Sequence, residues 1–374
     1  MLSIRKTKFE NIDYEMYENI SRSNKYGINL HPNWLKAYKT KWNVVDEHLF
    51  LELFDDSDNS IKGILPLFIQ QTRETRFFKL NRLLPVGYKP TDFFPIIVET
   101  GYEDDFSILM VRWLKNNSRL WDKVFLNYIP KNSSSWRSLV DQLRKNKFNV
   151  KVDDSREFLS LDTNYNYDDY LNTLGTKKVA KIRYKKNKVE RRVGEIRFKK
   201  IENNIIDYFE EFMVLYSGRR KMTNQSDPFE RNTNHKLFFE EIINTFEPKG
   251  LVRLSILEVD GNNIAYLISL IHNGVLYYLL PAFNPKFQKW SPGLIFLNEL
   301  VKDAFEDKSI NEFNFMRSVY DYKLWWNPRR EKYVEISIDN NISYKNMLHK
   351  IIISLRNIKN SFAKKFYKIK NLLI

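Results

Sequence analysis

The sequence predicts a mixed α/β (α+β) protein built as two tandem lobes, each a mixed sheet flanked by helices, followed by a basic amphipathic helix. Three observations carry this expectation. The chain has 374 residues, about two domains at roughly 100–200 residues each. Segments of strand character and segments of helical period interleave from one end to the other. The stretch 342–374 holds eight Lys or Arg and no acidic residue, with Met347, Ile351, Ile352, Leu355, Ile358, Phe362, Phe366 and Ile369 near helical spacing. Hydrophobic residues make up 43 % and aromatic residues 15 % of the chain, enough to fill real cores and too much for long disordered tracts.

In the first lobe a helix is expected around 32–38. The strand segments 49–54 and 63–69 are joined by the turn residues Asp55, Asp56, Ser57, Asp58 and Asn59, and so read as a hairpin. A strand at 94–98, a helix at 104–115, a strand at 123–128 and a helix reaching 146 follow. That last helix has Ser133, Ser134 and Ser135 as its capping signal. The boundary is expected near 150, giving lobes 1–150 and 151–340 and a tail 341–374. In the second lobe helices are expected at 167–174, 177–191, 205–219, 235–246 and 294–305, and strands at 158–161, 195–200, 251–259, 264–271, 275–280 and 312–316. Asp260-Gly261-Asn262 and His272-Asn273-Gly274 supply hairpin turns between the middle strands, predicting an antiparallel meander. Strand, helix, strand over 275–316 predicts a parallel pair with a crossover.

Composition excludes several function classes. With no cysteine, disulfides, thiolate nucleophiles and cysteine-based zinc sites are ruled out. His31, His48, His235, His272 and His349 show no metal-ligand spacing, so no metal is expected. No signal-like or bilayer-length apolar run is present, which makes cytoplasm the expected compartment. The formal charge of +15 calls for an anionic partner: nucleic acid, anionic lipid or a phosphorylated ligand.

One segment carries the chemistry. Strand 275–280 runs into Pro281-Ala282-Phe283-Asn284-Pro285-Lys286-Phe287-Gln288-Lys289-Trp290-Ser291-Pro292-Gly293 and then a helix. Ser291 is the expected N-cap, Pro292 suits the first helical turn, and Gly293 lets a ligand approach the backbone. Free N–H groups at such an end suit a pyrophosphate, with Lys286 and Lys289 adding charge. Capping alone is the bland alternative for the same residues.

This segment resembles the cofactor motif of the GNAT superfamily, in particular its BioF2-like branch of CelD/BcsL type, where a Ser-Pro-Gly loop follows an aromatic strand. The resemblance continues in Glu312-Phe313-Asn314-Phe315-Met316 and in the pair Tyr322-Lys323 before an aromatic. Ser318 stands where that family usually has Gly, and Arg317 is not typical of it. Asp260 to Ala265, Pro32-Asn33-Trp34-Leu35, Gly63 to Leu67 and Thr91-Asp92-Phe93 also resemble family elements, so the likeness spans roughly 30–335. It implies an acyl or aminoacyl donor in the second lobe, with acyl-CoA as the leading co-substrate, and an amine acceptor between the lobes, plausibly an amino sugar or surface-polysaccharide precursor. Cofactor-binding residues are then expected at Leu280, Ala282, Phe283, Lys286, Gln288 and Lys289, and at Ser291, Pro292, Gly293 and Lys323.

Amide formation needs a neutral amine, a polarised carbonyl and a protonated leaving thiolate. A backbone N–H near 280–283 is expected to polarise the carbonyl and Tyr322 to protonate the thiolate, with Asp92 or Asp321 as the base. Each has an ordinary alternative: ring packing for Tyr322, a turn for Asp92, a surface charge for Asp321. Residues 177–200 carry twelve Lys or Arg against Glu190 and Glu195, which serves either a solvated face or aminoacyl-tRNA, the donor of the related tandem-lobed Fem-type transferases. A catalytically silent binding module is the third reading. The tail fits either an anionic membrane surface, placing the protein at the inner face of the membrane, or packing on the lobes.

Overall fold

Alternating apolar strands pair here into one continuous sheet. The computed structural model describes residues 1–42, 47–73, 78–87, 93, 94, 96–354 and 358. The first half contributes β1 (Leu2–Thr7), β2 (Glu47–Asp55), β3 (Ser60–Arg73), β4 (Lys79–Pro85), β5 (Ile97–Val98), β6 (Lys123–Pro130) and β7 (Asn149–Asp153). The second contributes β8 (Glu157–Asp162), β9 (Ile196–Ile201), β10 (Val252–Val259), β11 (Asn262–His272), β12 (Val275–Phe283), β13 (Glu312–Arg317) and β14 (Arg329–Asp339). Their order is β1-β2-β3-β4-β6-β14-β8-β13-β12-β11-β10-β9, with β5 on β3 and β7 on β14.

Each half repeats one plan. Three antiparallel strands, β2-β3-β4 or β10-β11-β12, lead through a crossover helix, Glu103–Asn116 or Pro292–Glu306, to a strand parallel to the third, β6 or β13. The meander expected over 251–280 is present. Its turns use left-handed backbone at Asp260 and Gly261 and at Asn273 and Gly274, with φ between 49° and 74°, the twist that suits two-residue hairpins. The fold is therefore the expected mixed α/β one. The strand expected at 94–98 is reduced to Ile97–Val98, which pairs with β3, while the Phe94 N–H makes a separate bond to the Tyr128 carbonyl of β6 (3.0 Å).

β14 closes the sheet. Residues 329–332 pair with β8 while 333–339 pair with β6 and β7, so one strand belongs to both halves. The chain itself passes from one half to the other between β7 and β8.

Aromatic packing reinforces that junction. Phe93 stacks on Tyr26 at 4.6 Å and meets the edges of Phe158, Tyr277 and Tyr333. The helix Thr233–Phe246 of the second half packs Phe238 against Trp34 of the first at 4.9 Å. Each fully buried ring contributes about 2–3 kcal/mol, so the halves share a core. Buried Glu312 adds a polar pin, accepting from Lys25 Nζ (2.5 Å) and Asn314 Nδ2 (2.7 Å).

Candidate active site

The site is a fork between two parallel strands. β12 and β13 pair only at Val275–Tyr277 with 312–314 and then part. Three local features prevent the ladder from continuing. A register shift opposite Ile268–Leu270 inserts an extra residue in β12 at Tyr278–Leu279, a bulge that re-aims the backbone. Pro281 has no N–H to offer a further partner. On the other arm, Met316 (φ 65°) and Ser318 (φ 77°) take left-handed backbone and bend β13 away. Ser318, at a position where glycine was the expected residue, thus adopts the conformation glycine takes freely, at a cost of roughly 1–2 kcal/mol.

Lys323 holds the bent arm open. Its residue is 5 % exposed, and Nζ donates to the carbonyls of Phe315 and Arg317, both at 2.7 Å. These are carbonyls that the bend removes from the ladder, and an ammonium satisfies two at once. Arg219, on the helix Phe209–Met222, holds the other arm by donating to the Pro281 carbonyl at 2.7 Å, with its guanidinium 5.3 Å from the Phe283 ring.

Two cavities open at the fork. The first, about 580 Å³, is lined by Tyr216, Arg219, Arg220, Gln225, His235, Leu280, Arg317, Ser318, Tyr320, Tyr322 and Lys323 among others. The second, about 440 Å³, runs under the crossover helix past Lys181, Ala282, Phe283, Ser291, Gly293, Leu294, Phe296, Leu297, Trp325 and Trp326. Arg219, Tyr278, Pro281 and Tyr322 line both, so the cavities meet there.

The second cavity ends at the helix Pro292–Glu306. Ser291 stands at its cap position but corrects the expectation made for it. Its φ is 59°, its side chain makes no capping bond, and its carbonyl takes the N–H of Leu294 (3.1 Å) and Ile295 (3.4 Å). Pro292 has no N–H, and among the described residues the Gly293 N–H has no partner. A Cβ on Gly293 would meet nothing within 4 Å, so the space over this N–H is open. The helix thus presents its positive end and a bare donor to the cavity, with no acidic residue in its first turn.

The predicted residues divide into three groups. Leu280, Ala282, Phe283, Ser291, Gly293, Lys323 and Tyr322 come together on the fork and its cavities. Pro292 is buried beside them, whereas Lys286, Gln288 and Lys289 are exposed on the adjoining turn Pro285–Trp290, with Lys289 set 5.2 Å from the Trp290 ring. Asp321 is exposed on the short helix Asp321–Leu324 and lines neither cavity. Asp92 lies outside the described residues. Tyr322 is 42 % exposed, yet loss of water around the side chain pushes its phenol up to about 12, against the opposing pull of Arg219. Sequence reasoning missed Arg219 and Arg220 and gave Pro281 no role. The usable signal was a proline inside a strand that must have a parallel neighbour. His235 is set among Trp42, Phe229 and Phe239 at 4.6–5.2 Å, and burial lowers it to about 4.

A parallel pair that forks beside a bulge, onto a bare helix N-terminus, decides the comparison. Residues 176–324 match the family model of the acetyltransferase (GNAT) domain. The GNAT match encloses the fork, both arms and Tyr322, and it supports an acyltransferase with an acyl donor and an amine acceptor. No curated protein matches the sequence. Among solved structures the chain is similar to FemX, at 11 % identity over 91 % of this chain and 99 % of that one, with a TM-score of 0.65. It is similar to the C-terminal domain of a putative lysylphosphatidylglycerol synthetase from Agrobacterium fabrum, at 12 % identity, 90 % and 93 % coverage and a TM-score of 0.52. A tandem GNAT protein from the clavulanic acid biosynthesis pathway gives 8 % identity, 92 % and 100 % coverage and a TM-score of 0.50. At these identities the likeness is one of fold, and that fold is the tandem GNAT one. Among the described residues no group of three or more His, Asp or Glu is placed to hold a metal, and no helix is long and apolar enough to cross a membrane.

Proposed function

We propose that the protein transfers an acyl group from acyl-CoA to an amine, as an enzyme of the BioF2-like branch whose acceptor is an amino sugar or a surface-polysaccharide precursor. The observation that carries the reading is the bare Gly293 N–H at the end of a cavity that leads to the fork. In this account residues 1–150 and 151–340 act as two lobes with the donor in the second. The CoA pyrophosphate sits at the N-terminus of the helix Pro292–Glu306, and the apolar second cavity takes the pantetheine arm. The bulged stretch at Tyr278–Leu280 aims a backbone N–H at the thioester oxygen.

The amine then attacks from the first cavity, the C–N bond forms, and the C–S bond breaks. Tyr322 stays protonated at neutral pH because its phenol is raised to about 12. That is above the roughly 8.5 of a thiol, so Tyr322 first stabilises the departing sulfur by a hydrogen bond and water completes the protonation. Asp321 or Asp92 accepts the amine's proton, Asp321 through water given its place outside the cavities. Thiol release from acetyl-CoA tests this directly, since a chain with no cysteine adds no thiol of its own. Tyr322→Phe is expected to lower turnover by about 100-fold with KM unchanged; an undiminished Tyr322→Phe enzyme removes the residue from the mechanism.

A second donor, aminoacyl-tRNA, is favoured by one observation. The basic helix Thr176–Arg192 brings Lys181 to the second cavity and Lys188 to within 5.9 Å of the Trp290 ring. A requirement for tRNA together with failure to use acyl-CoA identifies that reading, and CoA binding without turnover identifies a silent module. For the tail, an anionic membrane surface is supported by the described part of its helix, 344–354. Tyr344, Met347, Leu348 and Ile351 are exposed along one face while Asn346 and His349 turn inward. Such a tail fits a cytoplasmic protein held at the inner face of the membrane. Flotation with phosphatidylglycerol vesicles, unchanged after deletion of 342–374, would count against it.

A further inference from the structure

We propose that the Tyr278 hydroxyl is a catalytic group that donates a hydrogen bond to the carbonyl oxygen of the donor thioester as that oxygen becomes an oxyanion. The role rests on the transferase reading above; the placement of the phenol stands on the structure. Tyr278 is the first residue of β12 beyond its pairing with β13, and it lies in the bulge opposite Ile268–Leu270. A bulge re-aims the side chain it carries. Here that side chain lines both cavities, as do Arg219, Pro281 and Tyr322. Its ring is held by Phe313 and Phe315 of β13, with centroids at 6.0 and 6.2 Å.

The ring is fixed, but the hydroxyl is not engaged. Among the described residues it has no hydrogen-bond partner, yet it is not sealed from water, so it opens onto the cavities. Tyrosines in a protein interior usually find a partner. Neighbouring Tyr277 donates to the Lys25 carbonyl at 3.2 Å, and Tyr170 to the Trp326 carbonyl at 2.8 Å. The Tyr322 phenol and the Arg219 guanidinium act electrostatically on the Tyr278 phenol, which sets its hydroxyl toward the place where the cavities meet. Burial, with Tyr322 adding to it, pushes that phenol up against the opposing pull of Arg219, so it remains a donor at neutral pH. The two arms of the fork then serve the two ends of the reacting group. As the amine's lone pair forms the C–N bond, the carbonyl pair moves onto oxygen, where the Tyr278 O–H and the backbone N–H of the same arm receive it. The pair returns as the C–S bond breaks and the sulfur leaves toward Tyr322 on the other arm. Tyr278 keeps its proton throughout. Its hydrogen bond strengthens as charge develops, so its loss lowers kcat more than affinity.

Tyr278→Phe keeps the ring on Phe313 and Phe315 and removes only the hydroxyl. In the full-length protein, thiol release from acetyl-CoA is expected to fall by about 100-fold in this variant, with KM for acetyl-CoA little changed. Infrared spectra of bound acetyl-CoA, isotopically labelled at the thioester carbonyl, give a reading that a merely packed ring would not move. The carbonyl band is expected at lower frequency on the wild type than in solution, with most of that shift lost in Tyr278→Phe and kept in Tyr322→Phe. Melting by circular dichroism checks each variant's fold, and spectra taken below every midpoint keep the test open should one melt early. A wild-type band at the solution frequency, a shift that survives Tyr278→Phe, or undiminished thiol release in that variant overturns the proposal. A wild type that neither binds acetyl-CoA nor releases thiol defeats the transferase reading and the role of Tyr278 with it, whereas wild-type turnover matched by Tyr278→Phe defeats the role alone.

Discussion

The two halves of the molecule share one topology and differ at the place where it forks. In the first half the crossover helix Glu103–Asn116 opens with Glu103, Asp104 and Asp105, and Glu103 caps the turn before it by accepting the Gly101 N–H at 2.8 Å. β4 and β6 pair only at Arg82–Leu83, but beyond that point Phe94 bonds the Tyr128 carbonyl and Phe93 fills the junction with aromatic contacts. In the second half the equivalent helix opens with Pro292 and Gly293, carries no acid in its first turn, and looks onto open space. Three carboxylates repel an anion that the bare helix end attracts. In the proposed reading the repeat builds two scaffolds and one donor site, and the closed half walls the acceptor side.

Acid is expected to break the partnership of the halves most severely. His235 contacts Trp42 across the junction at 4.6 Å and His31 contacts Phe246 at 5.0 Å. Burial lowers both rings to about 4 from 6.5. Above pH 6.5 both folded and unfolded rings are neutral and contribute no slope. Between 6.5 and about 4 only the unfolded chain binds the protons, so stability falls as pH drops, by roughly 3 kcal/mol per ring at most. Urea midpoints measured across that window check this, and His235→Gln is expected to flatten the slope. A slope unchanged in that variant removes His235 from the account.

Lys323→Met addresses the fork itself. It leaves two carbonyls of the bent arm without a donor and is expected to cost about 3 kcal/mol of stability, read in denaturant, and most of the turnover. A variant as stable as the wild type shows that the arm is bent by other means. Smaller and sharper is Leu294→Asp, which imports the acidic first turn of the closed half into the open one. CoA affinity is expected to fall by about fivefold, roughly 1 kcal/mol, whereas Asp104→Asn in the first half leaves it unchanged.

Much of this contrast was legible in the sequence. The meander, the crossover and the Ser-Pro-Gly entry follow from local turn chemistry and period, which are written in neighbouring residues. β14 was not read as a strand, because the charged run Arg329-Arg330-Glu331-Lys332 hides its start and its partners β6, β7 and β8 lie far away in the chain. β1 and β4 escaped for a similar reason: their burial depends on distant neighbours. Within the site, Tyr322 and Lys323 were found as a motif, but that Lys323 serves backbone carbonyls is a consequence of the bend at Met316 and Ser318. Ser291 was expected to cap with its hydroxyl. It caps with its carbonyl, since a left-handed backbone turns that group to the helix. Arg220 carries no sequence signal beyond its charge, and only the cavity distinguishes it from the other cations on the surface.

The central claim is that the donor binds at the open helix end of the second half and nowhere in the first. Calorimetric titration of CoA into the wild type and Gly293→Trp, over a range of salt, tests it most directly. The account predicts one site per chain, weakened by about 100-fold or roughly 2.7 kcal/mol in Gly293→Trp, with melting unchanged because the new side chain enters open space. Binding that survives Gly293→Trp intact would contradict it.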